Sequence, residues 1–179
     1  ALVAVTVGVH IIPAMTDLGM SLQMAGTVVA AYTATGMVFQ LVAGWLGDRF
    51  PKPPLIAAFV VIQGIGMLVA ALVRSVPGAF LFAVVYGAGF GGRVPLLVAI
   101  RGDYFGRRYF ATIMGVSQLP MNIAMMGAPI AAGYLFDTLG SYTVAFLGLA
   151  LLNFVGAIFI LLAKKPKLPS SRQQQTSLA

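Results

Sequence analysis

Charged side chains are scarce in this sequence. They make up 8% of its 179 residues, against about a quarter in an average soluble domain, and glutamate is absent. So few charges cannot cover a water-facing surface, which excludes an ordinary soluble fold. Cysteine is also absent, which excludes disulfides, thiol catalysis and cysteine-ligated metals. No Walker motif and no Ser/His/Asp or paired-carboxylate arrangement occurs in the apolar stretches. We therefore expect neither an ATP-driven protein nor an enzyme, and no cofactor.

Long apolar stretches fill most of the chain instead. Hydrophobic residues make up 60% of it, and the mean hydropathy is +0.97. About 20 apolar residues are needed to cross roughly 30 Å of hydrocarbon as a helix. The sequence predicts such spans at 1–15, 23–46, 55–73, 79–100, 111–136 and 143–163. Short connections favour antiparallel neighbours, so residues 1–163 are predicted to form an all-α membrane bundle of six transmembrane helices, followed by a disordered polar tail at 164–179.

The basic residues are distributed unevenly between the two sides of this bundle. Of the 11 Lys and Arg residues, Arg74 lies in a connection on one side and Arg93 lies inside the fourth span. The others fall on the opposite side, in the loops after spans two and four and in the tail. This is the positive-inside pattern, which predicts a cytoplasmic tail and an integral protein of the cell membrane. The net charge of +7 is then explained by basic residues that set the topology and contact lipid. No nucleic-acid partner is expected.

The chain also carries signs of being one part of a larger protein. It opens at Ala1 inside an apolar run, without an initiator methionine and without a recognisable signal peptide. We therefore expect a fragment with a first helix that is cut short. A coarse repeat, with a Gly/Asp/Arg cluster in each set of three helices, is typical of inverted three-helix repeats in transporters.

The loop after the second span carries a recognisable motif. It reads GWLGDRFPKPP, in which the positions that matter are Gly44, Leu46, Asp48, Arg49 and Lys52. These residues resemble the G-x-L-x-D-R-x-x-K/R loop motif of the major facilitator superfamily, although prolines replace its second basic pair. The stretch GDYFGRRYFATIMG, at 102–115, resembles the loop after the tenth helix in members related to oxalate/formate and monocarboxylate transporters.

This resemblance implies the C-terminal six-helix half of a twelve-helix secondary transporter. It implies alternating access for a small solute, a missing N-terminal half as partner, a cavity lined by the first and fourth helices, and outer positions for the third and sixth. Asp48 is expected to pair with a basic residue or to cap the next helix near residue 55, which would make the loop a gate. The alternative is plain topological anchoring by Arg49 and Lys52.

Polar residues within the spans are the candidates for substrate binding, because they are costly in a membrane. Arg93 lies about 10 Å inside the end of the fourth span, and Tyr86 shares its helix face. Arg93 either snorkels to the headgroups or binds an anion in the cavity. His10 is a candidate for coupling to a proton, or else a structural hydrogen-bonding residue. Gln118 and Asn122 share a face of the fifth span, where Pro120 is expected to break the helix; interhelical hydrogen bonding is their alternative role.

Two further patterns concern the surfaces of the helices. The third and sixth spans carry only Gln63 and Asn153 as polar residues, so both are expected to face lipid. Glycines 87, 89 and 92 spell G-x-G-x-x-G, but no strand precedes them, which excludes a nucleotide loop. The small residues Ala79, Ala83, Gly87 and Gly91 instead form a stripe that predicts close helix packing.

Taken together, these features predict a secondary transporter fragment that moves a small organic anion, with a coupling proton or ion left open. The alternatives are efflux of an apolar or cationic drug by a member of the same superfamily, and a membrane scaffold or degenerate half that does not transport.

Overall fold

The computed structural model describes residues 2–105, 110–139 and 142–163, and these ranges form six α-helices. The helices are α1 (Leu2–Asp17), α2 (Leu22–Gly47), α3 (Lys52–Leu72), α4 (Val76–Phe105), α5 (Phe110–Leu139) and α6 (Thr143–Leu162). Each predicted span corresponds to one of them. By length and apolar composition, α2, α3, α4 and α6 can cross a membrane, and α1 is a shorter apolar helix. The predicted disordered tail and the loop arginines 107 and 108 lie outside the described residues.

Local sequence explains where the second and third helices begin. Ser21 caps α2, because its side-chain oxygen accepts a hydrogen bond from the backbone N–H of Met24 at 3.2 Å. Gly19 has φ +82°, a conformation that favours glycine and allows the tight turn out of α1. Pro53 and Pro54 occupy the first turn of α3, where a missing N–H costs nothing. Helix α3 therefore begins at Lys52, earlier than the predicted residue 55.

Helix α4 is longer than predicted. It continues through Phe105 rather than ending at residue 100, so Arg101, Gly102 and Asp103 are helical and do not belong to a loop. Single glycines weaken a helix without necessarily ending it, and Asp103 is held by an ion pair with Lys52 at the start of α3. The extra turn places the side chain of Arg101 along the same helix as Arg93.

The four helices α2, α3, α4 and α6 form the well-packed body of the bundle. Helix α4 lies between α2 and α3, and α3 also packs along α6. The expectation that α3 faces lipid is therefore wrong. Gln63 is fully buried, and the backbone of α3 at Gln63 lies against Gly89 of α4. Apolarity alone does not distinguish a helix surrounded by other helices from one surrounded by lipid. Helix α6 does keep an exposed face of large apolar side chains.

The predicted small-residue stripe on α4 is confirmed as a packing surface. All four of its members, Ala79, Ala83, Gly87 and Gly91, are buried. Gly87 lies against the backbone carbonyl of Tyr32, and Gly91 lies against the backbone of Gly36, both on α2. A side chain at either glycine would collide with main-chain atoms of α2, so the close approach of α2 and α4 depends on these two residues.

Helices α1 and α5 pack mainly on each other and more loosely on the rest. Helix α5 runs without interruption through Pro120, so the predicted break at this proline is wrong; the helix tolerates the loss of one N–H donor there. Three cavities lie along the seam between this pair and the four-helix body.

Candidate functional site

The largest of these cavities, about 370 Å³, lies between α1, α4 and α5. We call it the arginine cavity. Its polar lining comes from Arg93, Arg101 and Gln118, and its apolar lining includes Phe90, Met114, Met121 and Met125. Of the five substrate-binding residues predicted from sequence, it brings together Arg93 and Gln118. Two cations and one amide in an otherwise apolar wall suit a ligand with an anionic group.

Arg93 is the deepest charge in the bundle. The side chain is 8% exposed, and it lies about 18 Å along the helix axis from the end of α4. Its guanidinium carbon lies 5.5 Å from the centroid of the Phe90 ring. Its Nε has no hydrogen-bond partner among the described residues. The side chain thus stays inside the bundle and does not extend to an exposed surface.

No carboxylate within the described part of the chain neutralises this guanidinium. The chain has 4 acidic residues, and all lie at or next to helix ends: Asp17, Asp48, Asp103 and Asp137. The ion pair found among the described residues joins Lys52 to Asp103 and does not involve Arg93. A buried charge without a counter-ion is costly, so the site is electrostatically incomplete without an anion.

Arg101 is a functional candidate that sequence reasoning missed. It lines the arginine cavity, and its Nη1 donates to the sulfur of Met114 at 3.2 Å. The predicted fourth span ends at residue 100, which assigns Arg101 to the following loop, whereas α4 continues to Phe105. The spacing of two helical turns between Arg101 and Arg93 was the available signal.

Tyr86 and Asn122 are not part of this cavity. Tyr86 is 1% exposed and packs among aromatic rings, with centroid distances of 5.2 Å to Phe82, 6.1 Å to Phe90 and 5.5 Å to Tyr32. Asn122 is exposed on α5 and turned away from the cavity lining. Tyr86 therefore contributes to the packing of α4, and its shared face with Arg93 does not place it beside the same space.

His10 lies towards the opposite end of the bundle, where α1, α3 and α5 end and α6 begins. Its Nδ1 is 3.4 Å from the hydroxyl oxygen of Tyr142, and the two rings are 5.4 Å apart. Tyr142 lines a cavity of about 190 Å³ with Asp17 and Arg74. Partial burial and the charges of Asp17 and Asp137 raise the pKa of Tyr142, so its hydroxyl stays neutral at neutral pH as a partner for the imidazole.

The loop motif makes a different contact from the one predicted for Asp48. Lys52 Nζ lies 2.8 Å from Asp103 Oδ2, which ties the start of α3 to the last turns of α4. Asp48 is the C-cap residue of α2, and its backbone N–H donates to the carbonyl of Gly44. The predicted cap on the next helix is wrong, because the N-cap of α3 is Pro51 and makes no side-chain cap bond.

The other basic residue of the motif faces an aromatic ring. The guanidinium carbon of Arg49 lies 3.9 Å from the centroid of the Trp45 ring. Both side chains are exposed at the end of α2. A cation stacked on an interfacial tryptophan is a common way to fix a helix end at a membrane surface, so Arg49 fits the anchoring role.

Comparison of the sequence with known proteins identifies relatives of this chain. The sequence profile of the Major Facilitator Superfamily matches residues 2–178. Human monocarboxylate transporter 11 is 30% identical over 90% of this chain and 36% of its own length. Monocarboxylate transporter 12-B of Danio rerio is 28% identical over 81% of this chain and 32% of its own length. A multidrug resistance protein B homolog of Mycobacterium tuberculosis is 32% identical over 63% of this chain and 22% of its own length. The chain thus spans about a third or less of the length of each relative. The matching family and the two relatives named as transporters confirm the prediction that the chain is not an enzyme.

Proposed function

The chain belongs to the Major Facilitator Superfamily, and from this premise we propose that it is one six-helix half of a twelve-helix secondary transporter. The half consists of two inverted three-helix repeats over residues 1–163, followed by a cytoplasmic tail at 164–179. It moves a small organic anion across the cell membrane by alternating access, without ATP. The monocarboxylate transporters among its relatives support this substrate class.

The observation that supports an anionic substrate is the charge of Arg93, which has no counter-ion among the described residues. Its guanidinium is buried, its Nε has no partner among the described residues, and every carboxylate side chain of the chain lies at or next to a helix end. A carboxylate that enters the arginine cavity supplies both the missing charge and hydrogen-bond acceptors, and a planar guanidinium can hold it through two bonds. Gln118 and Arg101 line the same space and provide further donors.

The missing half is the expected partner of exposed apolar faces on α2 and α5. The most exposed large side chains of α5 recur every three or four residues, which places them on one face of the helix: Val116, Leu119, Ile123, Met126, Ile130 and Tyr134. The motif loop, comprising Gly44, Asp48, Arg49 and Lys52, is proposed to bias the two rocking states. Asp48 is exposed and makes no ion pair among the described residues, so its carboxylate is available to the other half.

Export of an apolar compound is the second candidate. The methionines of the arginine cavity favour it, because methionine adapts to ligands of different shape, and one relative is named as a multidrug resistance protein homolog. A cationic drug fits poorly, since two arginines line the cavity. A scaffold role without transport remains the alternative from another class. Proton coupling through His10 and Tyr142 is compatible with either transport function.

Uptake kinetics of Arg93 variants test the proposed function in the full-length protein. For Arg93→Gln we expect uptake of the anion to fall by at least tenfold, because a charge-assisted bidentate contact is worth about 1.5–3 kcal/mol. For Arg93→Lys we expect a higher KM with part of the maximal rate retained, since lysine keeps the charge but loses the planar fork.

Arg172→Gln is the matched control, because Arg172 belongs to the polar segment that follows the last predicted span. Its uptake should remain at the wild-type level, with surface expression measured for all variants. Wild-type kinetics in both Arg93 variants would remove the basis for an anionic substrate, and uptake of apolar compounds by those variants would then favour the second candidate.

A further inference from the structure

Arg93 lines a second cavity on the other side of the bundle wall. This cavity, about 270 Å³, lies between α1, α3, α4 and α6, and we call it the side cavity. Arg93 and Leu97 line both the side cavity and the arginine cavity. The same guanidinium is therefore within reach of a ligand from two directions.

The lining of the side cavity is apolar apart from two residues. Val3, Val60, Leu97, Leu152 and Ile160 form most of its wall, and the polar side chains that line it are Arg93 and Asn153. The amide nitrogen of Asn153 already donates to the carbonyl of Leu149 at 3.0 Å, within its own helix. The cavity thus combines a single cation that lacks a counter-ion with a hydrocarbon-like wall, which is complementary to a molecule with an anionic head and an apolar chain.

The side cavity opens towards the exposed surface of α6. Leu152 lines it and is 55% exposed, and an added Cβ at Gly156 would have no atom within 4 Å. Helix α6 contains no charged residue, and its exposed face is built of large apolar side chains. Such a surface is suited to acyl chains rather than to water, so the opening leads into the hydrocarbon of the membrane.

We infer that the side cavity is a lateral binding site for amphiphilic carboxylates, in which the head reaches Arg93 and the alkyl chain lies along α6. This inference rests on the proposed function, because it assigns a substrate class to the same arginine. A short carboxylate uses the arginine cavity alone, and a carboxylate with an alkyl chain also buries methylenes in the side cavity. Each buried methylene adds about fourfold in affinity.

Filling the side cavity tests the inference without touching the arginine cavity. Gly156→Leu places a side chain into the opening, and Gly148→Leu adds the same side chain elsewhere on α6, where the added Cβ also has no neighbour within 4 Å. The full-length transporter is reconstituted in vesicles. Inhibition constants for its anion uptake are then measured for carboxylates from acetate to decanoate. Both variants are compared with the wild type in identical vesicles. Partitioning of the carboxylates into the lipid is then the same for all three proteins and does not affect the comparison.

We expect the affinity of the wild type and of Gly148→Leu to rise with chain length. In Gly156→Leu the rise should flatten, with a loss of at least tenfold for decanoate and an unchanged constant for acetate. An unchanged chain-length series in Gly156→Leu would overturn the inference, while Arg93-dependent uptake of acetate would still support the proposed function. If acetate does not inhibit the wild-type protein and Arg93→Gln keeps wild-type uptake kinetics, the proposed function is contradicted instead.

A second measurement does not depend on the folding of a variant. An alkyl carboxylate with a photoreactive diazirine at the end of its chain is cross-linked to the wild-type protein, and the labelled residues are identified by mass spectrometry. Labels on the segment 152–160 of α6, suppressed by excess decanoate, are the expected result. Labels restricted to the segment 114–125 of α5, on the arginine cavity, would contradict the lateral site.

Discussion

The ion pair between Lys52 and Asp103 connects the loop motif to another helix. The side chains are 22% and 51% exposed, so water weakens the attraction, and its contribution to stability is about 0–1 kcal/mol. Its importance lies in its position, since it joins the first turn of α3 to the last turns of α4. It also gives Lys52 a partner that the sequence motif alone did not indicate.

For Asp103→Asn we expect a drop of at most about 1 kcal/mol in the stability of the bundle. The loss should fade at high salt, because exposed charges are screened. The measurement is the apparent melting temperature of the purified protein at low and high ionic strength. Recovery in the double variant Lys52→Asp/Asp103→Lys would confirm that the pair acts through charge, and equal destabilisation at all salt concentrations would contradict it.

Asp48 provides the contrasting case, because its carboxylate is exposed and makes no ion pair among the described residues. Asp48→Asn should therefore leave stability within about 0.5 kcal/mol of the wild type. If the loop biases the rocking states, the same variant should still lower the transport rate of the full-length protein. Unchanged turnover of a fully inserted Asp48→Asn protein would leave the loop with its anchoring role alone.

For single residues, the sequence identified the polar side chains that lie within apolar spans, but it did not predict all of the residues that they contact. Helix geometry predicted Arg93 about 10 Å inside the end of its span, and the longer α4 increases this distance to about 18 Å. The position of Arg93 beside the same cavity as Gln118 was not predicted from the sequence. Tyr86 is on nearly the same face as Arg93, yet about 10 Å further along the axis, where other helices cover α4 instead of a cavity. Helical periodicity shows which residues share one face of a helix. It does not show whether another helix or a cavity lies against that face at a given position along the axis.

Among the elements, α4 is fixed most closely by its neighbours. Glycines at 87, 89 and 91 bring its backbone against the backbones of α2 and α3, and Gly66 of α3 faces the backbone of Tyr86. The sequence predicted the contact with α2 correctly through the stripe that includes Gly87 and Gly91, because smooth helix surfaces are needed for close packing in a membrane. It could not predict that α3 is enclosed, because lipid and neighbouring helices demand the same apolar side chains.

Gly66→Ala tests this packing, because the added Cβ would come within 2.7 Å of the backbone nitrogen and Cα of Tyr86. Main-chain atoms cannot move aside as a flexible side chain does, so we expect a destabilisation of about 1–3 kcal/mol. Gly115→Ala is the matched control, since nothing lies within 4 Å of its added Cβ. It should be neutral or stabilising by about 0.5–1 kcal/mol. Equal melting temperatures of the two variants would contradict the close contact between the backbones of α3 and α4 at Gly66.

On the scale of the whole molecule, the chain consists of a packed body of four helices and a more loosely attached pair, α1 and α5. The cavities lie along the seam between them. Hydropathy predicted an all-helical membrane bundle, and charge counting predicted an orientation. Neither could reveal this division, because it depends on which helices approach each other closely, and the sequence specifies that only through scattered glycines.

The orientation can be tested directly because the chain contains no cysteine. Single cysteines introduced at Ser75 and Ser171 should be labelled by a membrane-impermeant maleimide from opposite sides, with Ser171→Cys accessible from the cytoplasm. The reason is the strong excess of basic residues on the side of the tail. Labelling of both positions from the same side would contradict the three spans, α4, α5 and α6, that are predicted to separate Ser75 from Ser171.

The position of α4 within the body has a consequence for how the protein is made. Helix α4 carries a buried arginine and a run of glycines, so it is poorly suited to stay alone in lipid while the chain is still growing. Its two close neighbours, α2 and α3, precede it in the chain and leave the ribosome first. Both helices that α4 packs against are therefore already present when α4 is synthesised, and α6, the last of the six described helices, then packs on the remaining face of α3.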